Sequence, residues 1–165
     1  MKRLFFIRHA KSSWDFAALP DIKRPLNDRG KRDAPKMASY LHEKFPTRPD
    51  LIISSPSVRT LATCKYFTDQ YAYPNDEVRI EDAIYEASVS DIVSVLKTIN
   101  DDVNSVFLFG HNPSITYFAN ECENFLIDVI PTCGFVVVDI AIESWKDFDF
   151  PACQVLMVRY PKMIV

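Results

Sequence analysis

Arg8 and His9 stand directly behind an apolar run, Leu4-Phe5-Phe6-Ile7, with Lys11 close after them. Cationic and imidazole side chains delivered together behind such a run make a poor core and a good anion pocket. Arginine presents a fixed fork of donors to phosphate oxygens, and a neutral imidazole nitrogen can attack phosphorus. Arg59 and His111 occupy similar junctions further along. Arg59 falls in the first turn of a helix pattern, where unpaired N–H groups and the helix dipole favour an anion. Two arginines and two histidines around one point would hold a phosphoryl group with its charge spread over three oxygens. Plainer roles exist for each. Arg59 could pair with a surface carboxylate, and His111, behind Gly110, could be a turn residue bonded to nearby backbone. His42, beside Glu43 and Lys44, reads as a solvated helix face, and most Asp and Glu residues are dispersed rather than paired.

Alternating strands and helices must position these residues. Residues 3–8 read as a buried strand and 11–25 as a polar loop. Leu26-Asn27-Asp28 opens a helix with Asn27 as cap, carrying Met37, Leu41 and Phe45 on one face. Pro35 implies either a kink or a helix that starts only at 33–35. Leu51-Ile52-Ile53 forms a second strand, after which Ser55 caps a helix with Pro56 first and Val58, Leu61, Ala62 and Phe67 as its apolar face. A weak strand follows at 78–80. Ser90-Asp91 opens a helix with Ile92, Val95, Leu96 and Ile99 inward. Val106-Phe107-Leu108-Phe109 is the clearest central strand, ends at Gly110-His111-Asn112-Pro113, and leads to a helix from Pro113 to about Glu123. Strands at 135–142 and 155–160, separated by a polar, aromatic loop around Trp145, form an antiparallel edge pair. In a parallel sheet the C-terminal strand ends share one edge, so Arg8, His9, Arg59 and His111 can meet despite their separation in sequence.

The 165 residues fit one domain, 1–165, and a content of 48% hydrophobic and 13% aromatic residues supplies a full core. A net charge of −3 and a pI near 5.6 argue against nucleic acid as the main partner and suit a small anionic group bound locally. No stretch approaches the roughly 20 apolar residues of a membrane span. The apolar run after Lys2 and Arg3 is too short for a signal-peptide core, so the expected compartment is the cytoplasm. Cys64, Cys122, Cys133 and Cys153 are scattered, without a Cys-x-x-Cys pair or a histidine at metal-ligand spacing, and are expected as buried, reduced thiols.

Four blocks carry a resemblance. Leu4-Phe5-Phe6-Ile7-Arg8-His9-Ala10 resembles the Arg-His-Gly signature of the histidine phosphatase superfamily, with Ala10 where glycine is usual. Arg24-Pro25-Leu26-Asn27-Asp28-Arg29-Gly30 is similar to its next block. Ser54-Ser55-Pro56-Ser57-Val58-Arg59-Thr60-Leu61-Ala62-Thr63 resembles the helix with its second arginine, and Gly110-His111-Asn112-Pro113 the block with its second histidine. The blocks follow the family's order and spacing. The short chain is most similar to the SixA-type phosphohistidine phosphatases, and the longer phosphoglycerate-mutase branch ranks below. The resemblance implies a phosphoglycerate mutase-like α/β/α sandwich in three layers, its central sheet mostly parallel with an antiparallel edge near the C-terminus.

It also implies roles. His9 would be the nucleophile, forming a transient phosphohistidine, while Arg8, Arg59 and His111 bind and neutralise phosphoryl oxygens without metal or cofactor. Glu86 is the candidate general acid, with Glu81 and Asp82 as rivals, although SixA-type members often lack a clear acid. Lys11 and Ser12 are candidates to line the pocket. Asn112 is a candidate to fix the His111 ring or donate to phosphate. The expected substrate is phosphohistidine on a protein. The alternatives are hydrolysis of a small sugar or nucleotide phosphate, and a non-catalytic phosphate-binding module. The expected partner is accordingly a phosphorylated protein or a small phosphorylated substrate, with neither nucleic acid nor membrane; no oligomeric state follows. His9 must be neutral to attack, so activity should persist near neutral pH and fall in acid.

Overall fold

A computed structural model of the chain describes residues 1–122 and 125–165. The apolar runs form a six-stranded sheet. In chain order its strands are β1 (Lys2–Arg8), β2 (Leu51–Ser54), β3 (Arg79–Ile80), β4 (Ser105–Gly110), β5 (Phe135–Ile140) and β6 (Cys153–Arg159), arranged as β3-β2-β4-β1-β5-β6. β1 and β2 both run parallel to β4, with Arg8 opposite Gly110, and β3 is parallel to β2. β5 is antiparallel to β1 and to β6, the expected antiparallel edge.

Alternation along the strands sends apolar side chains to both faces. Leu4, Phe6, Val106 and Leu108 pack with α3 (Val89–Leu96) and α4 (Ser114–Glu121). Phe5, Ile7, Phe107 and Phe109 pack with α1 (Asp28–Lys44) and α2 (Val58–Gln70). The result is the three-layer α/β/α sandwich, and each fully buried Phe or Leu contributes about 1.5–3 kcal/mol of stability.

Asn27 caps α1, its side chain accepting from Gly30 N, and the helix runs from Asp28 with Pro35 inside it, which excludes the late start. Pro35 lies on the exposed side, where water can satisfy the Lys31 carbonyl that loses its partner. Gly30 lets α1 approach the segment behind His9, since a Cβ there would stand 2.2 Å from the Lys11 carbonyl oxygen.

Several local expectations need correction. α2 is capped by Ser57, not Ser55, and α3 by Ser88, not Ser90, with Asp91 completing a capping box. In both places neighbouring serines compete, and the one whose hydroxyl reaches the N–H three residues on wins. α2 buries only part of the expected apolar face: Phe67 is buried and Leu61 and Ala62 are half-buried, but Val58 is exposed, and Arg59, Thr60, Thr63, Cys64 and Thr68 are buried beside Phe67. Thr63 Oγ1 donates to the Arg59 carbonyl at 2.8 Å and accepts from Ala10 N at 2.9 Å, so these polar groups are satisfied inside. α4 stops at Glu121; the expected end at Glu123 lies outside the described residues. His42 is half-buried, edge-on to Tyr71 with 4.9 Å between ring centroids, rather than fully solvated. Trp145 is buried rather than part of an open loop, its Nε1 donating to the Val103 carbonyl at 2.8 Å. The four cysteines are free and buried.

Candidate active site

The C-terminal edge of the sheet brings Arg8, His9, Arg59 and His111 together. His9 follows β1, and its backbone N–H donates to the Gly110 carbonyl at the end of β4. The two imidazole rings stand 5.2 Å apart, centroid to centroid.

The tautomer of His9 follows from its neighbours. Its Nδ1 lies 2.7 Å from the Ala10 carbonyl oxygen, which can only accept, so Nδ1 carries the proton and Nε2 presents a lone pair. Arg59 Nε donates towards that lone pair at 3.4 Å. Burial is the main force lowering the His9 pKa, to about 3; the Ala10 bond opposes it, and His111, Arg59 and Arg8 add to it. Burial likewise draws His111 down to about 4, aided by Arg59 and Arg8 and opposed by Asp21. Both rings are therefore neutral at neutral pH.

Arg8 is held at one end only. Its Nη1 donates to the Ile130 carbonyl at 2.8 Å, while its Nε is buried without a partner among the described residues. Burial and the nearby Arg59 lower its pKa from the ordinary value. A buried N–H that lacks an acceptor costs roughly 1–3 kcal/mol, and an anion in the site would recover it.

Ser55, released from capping, shares a 2.7 Å hydrogen bond with His111 Nε2 and orients that ring. Ala10 is fully buried in the apolar cluster of α1 and α2, and its φ lies outside the left-handed region, so its methyl is accommodated where glycine was expected.

The other candidates fall outside this cluster. Asn112 neither fixes His111 nor points a free amide inward. Its Oδ1 accepts from Thr116 and its Nδ2 donates to the Ile130 carbonyl, bracing the group that holds Arg8. Ser12 is buried and accepts from Arg24 Nη1 at 2.7 Å. The Lys11 carbonyl accepts from Asn27 N, and its half-buried side chain makes no hydrogen bond among the described residues. Glu86 is exposed, with φ of 55°, and bonds to neither histidine. Glu81 pairs with Arg79, and Asp82 is exposed.

Two residues here were not anticipated. Asp21, in a short turn (Asp21–Lys23) of the loop behind Ser12, binds Arg59. Tyr85 packs edge-on to His111 at 5.5 Å and donates to Asp21. Only the neighbourhood of Asp21 to the Arg24-Pro25 block hinted at the first, and the place of Tyr85 beside Glu86 at the second. Among the described residues no group of three or more His, Cys, Asp or Glu could hold a metal ion.

The family profile described as "Histidine phosphatase superfamily (branch 1)" matches residues 4–117. An uncharacterized chloroplastic protein of Arabidopsis thaliana is 30% identical over 156 residues, which cover 88% of this chain and 70% of that protein. The protein histidine phosphatase SixA complexed with tungstate shares the fold with a TM-score of 0.82 at 21% identity, covering 98% of either chain. A protein of Agrobacterium tumefaciens, provisionally assigned as phosphohistidine phosphatase SixA, gives 0.79 at 26% identity over 97% of this chain and 98% of that one.

Proposed function

The chain belongs to the histidine phosphatase superfamily, and from that premise we propose that it removes a phosphoryl group from phosphohistidine on a protein, through a covalent intermediate at His9. The observation that carries this reading is the pairing of a lone-pair-bearing His9 Nε2 with the buried, unpartnered Arg8 Nε.

Phosphoryl oxygens bind Arg8 and Arg59, with His111 beside them. His9 Nε2 attacks phosphorus; a P–N bond forms to His9 as the bond to the leaving nitrogen breaks. Water then attacks the phosphorylated His9, releasing phosphate and returning the electron pair to Nε2. The cationic side chains supply the charge compensation.

The leaving group decides between substrate classes. Glu86 makes no hydrogen bond in the cluster, and Asp21 is held ionised by Tyr85, Arg24 and Arg59. Neither is placed to donate a proton. An imidazole, with a pKa near ~6.5, leaves without such help far more readily than an alkoxide. Trp14 is 72% exposed, and Phe16 and Leu19 are exposed with it, on the loop that reaches Arg59 through Asp21. An apolar rim beside an anion site suits a protein carrying the phosphoryl group. The sandwich is taken as one domain over residues 1–165, and its four free thiols fit a reducing compartment such as the cytoplasm. Among the described residues no helix is long and apolar enough to cross a membrane.

The test is turnover of an aryl phosphate in EDTA, followed by a phosphohistidine protein and an alkyl phosphate ester. Wild type should turn over under chelation, His9→Ala should not, and phosphohistidine should be hydrolysed at least about a hundredfold faster than the alkyl ester. Retained activity in His9→Ala overturns the nucleophile. Preference for a sugar or nucleotide phosphate establishes the ester reading, and saturable phosphate binding without hydrolysis establishes a binding module.

A further inference from the structure

Arg59 is gripped from the side away from His9. Its Nη1 donates to the Asp21 carbonyl at 2.7 Å and its Nη2 to Asp21 Oδ2 at 3.0 Å, while its Nε points at His9 Nε2. Asp21 is itself held at both carboxylate oxygens. Oδ2 accepts from the Tyr85 hydroxyl at 2.6 Å, and Oδ1 from Arg24 Nε at 3.0 Å. Arg24 is buried and anchored on Ser12 Oγ and the Ser13 carbonyl. Tyr85 comes from the turn behind β3, so two segments meet across Arg59.

Resting on the phosphatase reading above, we propose that Asp21 and Tyr85 are positioning residues forming a counter-ion strap on Arg59. The strap aims the guanidinium at His9 and offsets part of the cationic charge of Arg59, so that phosphate is let go after turnover.

The charge count shows why the second role follows from the first. With both histidines neutral, the cradle holds Arg8⁺ and Arg59⁺, and the Asp21 carboxylate divides its charge between Arg59 and Arg24. A phosphate dianion entering it shares Arg59 with Asp21, and like charges at such separations repel appreciably in a partly desolvated site. The Asp21 side chain is 48% exposed, so the repulsion is moderated by water without vanishing. Turning Arg59 away from His9 would break two charge-assisted hydrogen bonds, which makes the aim of Nε a property of the strap.

A purely structural role for Asp21 and a counter-ion role predict opposite signs for phosphate affinity. The experiment measures kcat on an aryl phosphate and binding of inorganic phosphate by calorimetry, for wild type, Asp21→Asn and Tyr85→Phe, with circular dichroism to confirm folding. In Asp21→Asn, kcat should fall about 10- to 100-fold as Arg59 loses its aim. Phosphate should bind severalfold more tightly as the competing charge is gone. Tyr85→Phe, which leaves the carboxylate less well held, should move both quantities in the same directions by smaller factors, and it carries the test alone if Asp21→Asn does not fold. Unchanged or weaker phosphate binding, or an unchanged kcat, overturns the strap. Binding needs no turnover, so a wild type that binds phosphate without hydrolysing any substrate refutes the phosphatase reading and leaves the charge effect measurable.

Discussion

Acidifying the protein from about pH 8 to about pH 5 should remove about 4 kcal/mol of folding stability, through His9 and His111. Each ring is buried, and burial is the leading cause that draws them to about 3 and about 4 from an ordinary value of 6.5. A folded state that refuses a proton is penalised wherever the unfolded chain accepts one. The contribution is therefore complete above about pH 6.5 and is lost progressively as pH falls towards the folded values. At about pH 5 the unfolded histidine lies roughly 1.5 pH units below its pKa, so each site forfeits about 2 kcal/mol at about 1.4 kcal/mol per pH unit. The rings interact, so the sum belongs to the pair rather than to either one. The low pKa of Asp21 keeps that carboxylate ionised throughout this window.

Urea denaturation in phosphate-free buffer at several pH values measures the effect; phosphate would bind the folded state and mask it. In thermal scans the same loss should lower Tm by roughly 8–16 °C. His9→Asn should lose about half of the pH dependence, as should His111→Asn. A wild-type stability flat across this range, or variants as acid-sensitive as wild type, would refute the reasoning. The same shift extends activity: His9 should remain neutral, and turnover persist, until the pH nears 4.

Three further outcomes are expected. Gly30→Ala would place a Cβ 2.2 Å from the Lys11 carbonyl oxygen and break the bond that carbonyl accepts from Asn27 N, lowering stability by about 2–4 kcal/mol in urea titration. Glu86→Gln should leave aryl phosphate and phosphohistidine turnover within about twofold, because the carboxylate is exposed and bonds to neither histidine; a loss beyond tenfold would reinstate it as the acid. Ser55→Ala removes the hydrogen bond to His111 Nε2 and should reduce kcat/KM about tenfold with the fold intact by circular dichroism.

The strands were readable because runs such as Leu4-Phe5-Phe6-Ile7 and Val106-Phe107-Leu108-Phe109 leave the chain little alternative to burial in a sheet. The helix caps were less so. In Ser54-Ser55-Pro56-Ser57 three hydroxyls could each cap α2, and only the placed backbone shows that Ser57 does and that Ser55 is free to hold His111. Apolarity is only a partial guide to the buried face of α2, where Phe67 is joined inside by Arg59 and by Thr63, which bonds to the Arg59 carbonyl.

Residue order alone was enough to gather Arg8, His9, Arg59 and His111, because Arg8 ends a strand, the others stand just beyond one, and parallel strands deliver their C-terminal ends to one edge. Tertiary structure alone decided what surrounds them. Asp21 lies 38 residues from Arg59, and Tyr85 64 residues from Asp21, in turns that carry no periodic pattern. Burial depth, the unpartnered Arg8 Nε and the His9 tautomer are likewise set by neighbours distant in the chain, for desolvation and hydrogen bonding depend on distance in space, which residue order along these loops does not encode locally.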